Sequence, residues 1–418
     1  MIRNSFRGIR RSGMLILLGL PLLSMRLAAQ EALRASMAGD TAAAARKQAQ
    51  NTVGYYNLLW GPVSLRAGAS LSEEYTDHVL SSTGGAGDLI TRPAVNLALN
   101  WPVTEYNTLN FTLSGGYSLY AQNSTMNQFF FNPGSGLSFD IYVGDWVFDL
   151  HDRMSMTENN YQNPTAHGSQ GGTSSFQNDA GVSGMWDLNK IVVNTGIDHV
   201  NYMSLGQGTS SQPDSSTENL SLNAGYKVRP EIMVGPQIGG TLISYDQTGT
   251  GASVGNGTQW SAGAFTSVQV STHLSFRLDG GYTLYTPENS HTNLNQSMTG
   301  LYFQFSISHQ VNEHINYTIS AGRSIDFSYN GLYDRLFIQL SPNWLFIRNF
   351  TFSTPIGWEQ DTRSGLSYTQ FSAGFSVGHP ITKKLSASLS YNCVSDTSNQ
   401  AAYNYVANTV GLNFNYQF

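Results

Sequence analysis

The sequence predicts an all-β protein: a transmembrane antiparallel β-barrel of about 18 strands, closed by pairing of its first and last strands. Three observations predict it. Apolar and polar residues alternate with a period of two from Pro62 to Phe418, the pattern of strands with one apolar face. The connections between these runs alternate, along almost the whole chain, between tight turns and longer segments rich in Gly, Ser, Thr and Asn. Only 11% of the 418 residues are charged, against about 25% in an ordinary soluble domain. The polarity comes from amides, hydroxyls and 42 glycines, which suits a wall with lipid on one side and water on the other.

Residues 1–29 read as a secretory signal. Arg3, Arg7, Arg10 and Arg11 give a basic start, Met14 to Met25 an apolar core, and Leu27-Ala28-Ala29 a small-residue cleavage site. The apolar run is shorter than the roughly 20 residues a spanning helix needs. These 29 residues hold five arginines and no acid, so their removal takes the formal charge from −6 to −11. Such a charge argues against a nucleic-acid partner, which calls for a basic stripe. A single cysteine, Cys393, excludes an internal disulfide and a cysteine-based metal site. Residues 30–61 form an Ala-rich leader that suits a short helix or a plug, followed by an aromatic approach to the first strand.

From Pro62 the strands follow one another. The first puts Val63, Leu65, Ala67, Ala69 and Leu71 on one face, and the second Val95, Leu97, Leu99 and Trp101. The same alternation recurs at Leu109 to Leu119, Leu137 to Val143, Trp146 to Leu150 and Ile191 to Ile197. It continues through Leu274 to Leu284, Leu301 to Ile307, Ile315 to Ala321 and Leu385 to Tyr391. Tight turns fall at Gly144-Asp145, Arg229-Pro230-Glu231 and Ser271-Thr272, with long connections at 76–88, 122–133, 158–175 and 204–217 between or beside them. A soluble sandwich gives no reason for every second loop to be long, and no helix-period stretch interrupts the strands. Trp101, Trp186 and Trp344 beside the tight turns, and Tyr120, Tyr202, Tyr285, Tyr329 and Trp358 near the long loops, suggest aromatic girdles at both interfaces. Arg323 falls on the lipid side of this register, where an arginine costs about 2–4 kcal/mol at mid-bilayer. A height near the interface, or a bulge at Ala321-Gly322, would relieve it.

A wall of this size is too wide for side chains to fill, so an aqueous channel is expected unless something plugs it. Parity turns Arg66, Arg92, Asp140, Asp149, His151, Lys227, Arg277, Asp279, Asp326 and Arg335 inward as candidate pore-lining residues. They suit either a charged solute-selecting eyelet or the ordinary polar wall of a water-filled lumen. The loop from Glu158 to Ser175 is a candidate for folding inward, although it lacks an acidic cluster. Asp77-His78 and His151-Asp152 are adjacent pairs whose side chains point to opposite faces of a strand, and the loop histidines lack ligand spacing. No catalytic, cofactor or metal site is expected, and the chain does not read as an enzyme.

In the last strand Leu412, Phe414, Tyr416 and Phe418 alternate with Asn413, Asn415 and Gln417. This run resembles the C-terminal signal of bacterial outer-membrane barrels, which the barrel assembly machinery recognises. The stretch L-R-A-G-A-S-L-S-E-E-Y-T-D-H-V followed by G-D-L-I-T-R-P-A-V-N-L-A-L-N-W, from Leu65 to Trp101, resembles the opening of the putative β-barrel porin 2 family. Tyr75, Asp77, Asp88, Leu89, Ile90, Thr91 and Arg92 carry the match, with Thr76-Asp77-His78 where the family commonly reads Asp-Asp-Asn. The resemblance implies a pore in the bacterial outer membrane and supplies no catalytic residues. Passive diffusion of small hydrophilic solutes is the expected function. An exopolysaccharide export barrel and a structural or adhesive barrel without an open pore are the alternatives. The implied partners are outer-membrane lipid, the assembly machinery and small solutes or polysaccharide, with homo-oligomer formation open.

Overall fold

The computed structural model describes residues 56–418 apart from 80–85, 105, 160–172, 206–213, 247–255, 289–296, 329–330, 347–348, 364–365 and 402–403. The signal segment, most of the leader, and most of the candidate inward loop therefore lie outside the described residues. In chain order the strands are β1 (Leu58–Trp60), β2 (Val63–Thr76), β3 (Asp88–Pro102), β4 (Thr108–Tyr120), β5 (Gln128–Val143), β6 (Trp146–Asn159) and β7 (Thr173–Asp187). They continue as β8 (Ile191–Ser204), β9 (Ser215–Arg229), β10 (Ile232–Tyr245), β11 (Gly257–Gln269), β12 (Leu274–Pro287), β13 (Met298–Gln310) and β14 (Ile315–Ser328). The last are β15 (Gly331–Phe346), β16 (Phe350–Ser353), β17 (Ile356–Arg363), β18 (Leu366–Pro380), β19 (Leu385–Ser398) and β20 (Tyr405–Gln417).

Neighbours in the chain pair antiparallel, and β2 pairs with β20 from Gly68↔Gln417 to Thr76↔Thr409, so the sheet closes on itself. Closure is what lipid requires, because an open edge would leave backbone groups unpaired in hydrocarbon. The wall has 18 strand positions. β16 and β17 share one of them, both lying between β15 and β18. Proline explains the split: Pro355 and the facing Pro342 have no N–H to give the ladder. The chain bridges the gap by Thr354 N–H donating to the Pro342 carbonyl, and Gly374 N–H to that of Pro355.

A short strand precedes the first of the long ones. Leu58–Trp60, assigned above to the leader, pair with β2 in the register Leu58↔Leu65 to Trp60↔Val63. They extend the edge of β2 below the point where β20 ends. Asn57 binds both sides of this seam: its side-chain oxygen accepts from Ala67 N–H at 2.8 Å, and its amide donates to the Phe418 carbonyl.

The period of two becomes two faces. Val95, Ile197, Ile238, Leu301 and Ile338 stand exposed on the outside, whereas Asn219, Ser221, Asn223, Gln237 and Asp279 are buried on the inside. At one rim the outer face carries packed aromatics, with the Trp146 and Trp186 rings stacked 5.0 Å apart and the Trp344 and Phe346 rings edge-to-face 4.7 Å apart. At the other rim the aromatics divide. Trp358 keeps to the outer face, in register with Ile338 and Phe371, which are exposed there. Tyr120 and Tyr285, expected in the girdle, are buried on the inner face instead. Tyr202 shares that face, paired with the buried Gln177. Each falls one residue off the lipid parity of its strand, and Tyr329 lies outside the described residues.

Candidate pore lining

The inner face of β5 to β8 carries a connected group of titratable side chains. Asp140 on β5 faces Asp149 on β6, His151 follows two residues later, and His151 pairs across to Gly181 on β7 and then Asp198 on β8. His151 Nδ1 lies 3.2 Å from Asp149 and Nε2 lies 3.0 Å from Asp198. A ring between two carboxylates donates to both only as the imidazolium. Gly181 makes the second contact geometrically feasible: a Cβ there would lie 2.1 Å from the Asp198 oxygen and 2.8 Å from His151 Nε2. Arg153 reaches Asp179 at 3.3 Å on the same face. One ligand-type atom each from His151, Asp179 and Asp198 fall within 4.8 Å of one another. Their existing pairing with Asp149 and Arg153 makes this an ion network along the wall.

A second group lies on β15 to β19. Arg335 donates to Glu359 at 2.5 Å, both buried, and its guanidinium lies 5.2 Å from the centre of the Phe337 ring. Asp361, Gln370 and Asp396 are buried on the same face, Asp361 in register with Arg335 and Gln370 with both Glu359 and Asp396. On β12 Arg277 clasps Asp279 through Nε at 2.9 Å and lies 4.8 Å above the Phe265 ring.

Of the other residues picked from parity, Arg92 is on the inner face with Glu74 at 3.3 Å and Ser118 at 3.3 Å. Arg66 is on the inner face of β2, opposite Ala98. Lys227 sits at the rim near the end of β9, bound to Asp187 at 3.1 Å. Asp326 belongs to β14 by its backbone pairing with Tyr333, and its side chain is outside the description. Sequence reading missed Arg153, Asp179, Asp198, Glu359, Asp361 and Asp396. Parity places them inward as readily as the others, but only the register reveals which of them meet.

Arg323 is on the outer face, between Phe303 and Leu336 in register. The ladder runs unbroken through Ala321 and Gly322, so no bulge relieves it. Asp334, on the same face of β15, does so with two hydrogen bonds of 2.9 and 2.6 Å.

The family model described as putative beta-barrel porin 2 matches residues 53–418. The chain belongs to that family. This porin-family chain is a porin-like outer-membrane channel for small solutes, and its family and fold are those of a non-enzymatic channel. Solved structures similar to it include Pseudomonas aeruginosa OccK2 (OpdF) in complex with glucuronate, 11% identical, covering 85% of this chain and 98% of that one at a TM-score of 0.48. Acinetobacter baumannii OccAB3 is 11% identical, with 85% and 99% covered and a TM-score of 0.46. The Pseudomonas aeruginosa outer membrane protein opdK is 9% identical, with 85% and 98% covered and a TM-score of 0.46. No curated protein matches the chain.

Proposed function

We propose that this porin-family barrel is a passive diffusion channel that favours cationic and neutral hydrophilic solutes over anions. The observation that carries this reading is the excess of acid over base in both inner-face groups. On β5 to β8, Asp140, Asp149, Asp179 and Asp198 are set against Arg153 and the ring of His151. On β15 to β19, Glu359, Asp361 and Asp396 are set against Arg335. Fixed charges on low-dielectric walls bias which ions enter a pore. Planar-bilayer recording of the purified protein across a salt gradient tests this. The expected result is open-channel conductance with a reversal potential of cation-selective sign. An anion-selective sign rejects the charge argument, and a silent bilayer rejects open diffusion.

Polysaccharide export is less well supported. A sugar track needs accessible rings, and inner-face Tyr120, Tyr285, Tyr302, Tyr368 and Tyr405 are all buried against their neighbours. The same reading has the chain exported by residues 1–29 and received by the barrel assembly machinery through the outer face of β20, at Leu412, Phe414, Tyr416 and Phe418.

A further inference from the structure

His151, Asp179 and Asp198 stand around a glycine, and the register of the sheet puts them there. His151 of β6 and Asp198 of β8 are both in register with Gly181 of β7, one on each side of it. Asp179 precedes Gly181 by two residues, so it rises from the same face of β7. A side chain at 181 would fill the middle: its Cβ would lie 2.1 Å from the Asp198 carboxylate and 2.8 Å from His151 Nε2. Glycine keeps that middle open, and one atom from each of the three side chains lies within 4.8 Å of the other two.

These donors have the chemistry of a site for a divalent transition metal. His151 Nε2 and Asp198 Oδ1 are 3.0 Å apart. That is close to the roughly 3.3 Å between ligand atoms on a tetrahedral zinc with bonds of about 2.0–2.1 Å. Asp149 stands behind the ring, 3.2 Å from Nδ1. A carboxylate in that position fixes the tautomer of a metal-binding histidine and turns Nε2 toward the ion. His151 is itself buried, at 8% exposure. One nitrogen with two carboxylate oxygens suits zinc, cobalt or nickel, whereas calcium and magnesium take shells of oxygen. Charge favours the ion as well, since Asp149, Asp179 and Asp198 are set against Arg153. Arg153 reaches Asp179 only at 3.3 Å with its own side chain 46% exposed, a bond weak enough to displace. A divalent ion can therefore take the places of the Nε2 proton and of Arg153 in the network described above. Spacing along the chain gives no sign of this, because each ligand comes from a different strand.

We infer that His151, Asp179 and Asp198 form a binding site on the lumen wall for a divalent transition-metal ion. Asp149 orients the histidine, and Gly181 makes the room. Binding does not depend on the diffusion reading above, but its effect on current does. An ion held there adds two positive charges to a wall whose acid excess favours cations, so it should turn selectivity toward anions.

Isothermal titration calorimetry of the untagged full chain with Zn²⁺, in a Cys393→Ser background, tests this. One saturable site per chain is expected, weakened at least tenfold in His151→Ala and about 10–100-fold in Asp149→Asn. Gly181→Ala changes no ligand, yet it should also weaken binding at least tenfold, because its methyl occupies the space between ring and carboxylate. His199 is the control: it neighbours Asp198 on β8 but turns to the other face, toward Glu218, and His199→Ala should leave the affinity unchanged. Co²⁺ adds a readout independent of heat, visible absorption bands that are lost in His151→Ala. Absence of saturable Zn²⁺ binding overturns the inference. So does equal affinity in wild type, His151→Ala and Gly181→Ala, each migrating as a folded barrel. Ca²⁺ binding as tightly as Zn²⁺ overturns it too, because an acidic wall alone would then account for both. In bilayers Zn²⁺ should move the reversal potential of the wild type toward anions and leave that of His151→Ala in place. A bilayer that stays silent sinks the diffusion reading instead, and the calorimetry then still decides the site.

Discussion

Asp77 takes two hydrogen bonds from Asn408, one from its backbone N–H and one from its side-chain amide, each 2.7 Å long. The residues are 331 apart in the chain, and the contact ties the end of β2 to β20 where the barrel closes. Burial acts to raise the Asp77 pKa, but the Asn408 donors and neighbouring His78 outweigh it and hold the carboxyl below its usual 3.8. A depressed folded pKa means that ionised Asp77 stabilises the seam above the ordinary carboxylate range. That contribution is lost as the pH falls through the folded value. Asp77→Ala should therefore lower the unfolding midpoint at neutral pH, by on the order of 1 kcal/mol for charge-assisted bonds at a partly exposed site. The gap to wild type should close in strong acid. Thermal unfolding followed by heat-modifiable migration at several pH values checks it. A pH-independent gap would mean the loss is one of packing.

The pair on the outer face behaves differently. Arg323→Leu leaves Asp334 on a lipid-facing wall without its guanidinium, and removing one partner of such a pair costs about 3–5 kcal/mol when it is fully buried. Both residues keep about a third of their exposure in the isolated chain, so a smaller loss is expected. The double variant Arg323→Leu with Asp334→Leu should recover most of it, because two well-packed apolar residues suit lipid. Urea unfolding in detergent or bilayers measures the cycle. Additive single losses with no recovery would show that the pair is not what makes Arg323 tolerable there.

Much of this architecture is legible in the sequence because a barrel wall encodes its two faces at the shortest period available. Ile191, Val193 and Ile197 announce an outer face without any knowledge of their neighbours. What is not legible depends on register, which no single strand contains. His151 and Asp198 are 47 apart and meet only because Gly181 lies between them in two ladders. Arg323 was visible as an anomaly, and its partner was not, because Asp334 becomes a same-face neighbour only through the β14–β15 pairing. Tyr120 and Tyr285 were misplaced for a simpler reason. Their nearness to loops suggested a girdle, while their parity pointed inward.

The inner-face ion network makes a selectivity prediction. Asp198→Asn removes one of the two carboxylates on His151, and Asp149→Asn the other. Either should lower the cation-to-anion permeability ratio, by on the order of twofold for one charge removed from the lumen wall. Gly181→Ala should act in the same direction without changing any charge, since its methyl must push the Asp198 carboxylate off the His151 ring. Reversal potentials across a fixed salt gradient distinguish the cases. If Gly181→Ala leaves selectivity unchanged while Asp198→Asn moves it, the charge matters and its contact with His151 does not.

The seam at β20 yields the last prediction. Phe418 N–H donates to the Ala67 carbonyl at 3.1 Å, its own carbonyl accepts from Asn57, and its ring meets that of Tyr416 edge-on at 5.5 Å. Phe418 therefore has two separable roles in our reading: an outward ring on the strand offered to the assembly machinery, and backbone bonds that finish the closing ladder. Phe418→Ala keeps the backbone bonds and removes the ring, whereas Asn57→Ala keeps the ring and removes the clamp. The first should reduce the yield of inserted barrel in cells with little effect on the conductance of the molecules that do insert. The second should leave insertion near normal and lower unfolding resistance by about 1 kcal/mol, the value of a net hydrogen bond. Membrane fractionation and urea titration of the two variants side by side separate these roles. Normal insertion of Phe418→Ala at normal yield would remove the recognition role and leave only the structural one.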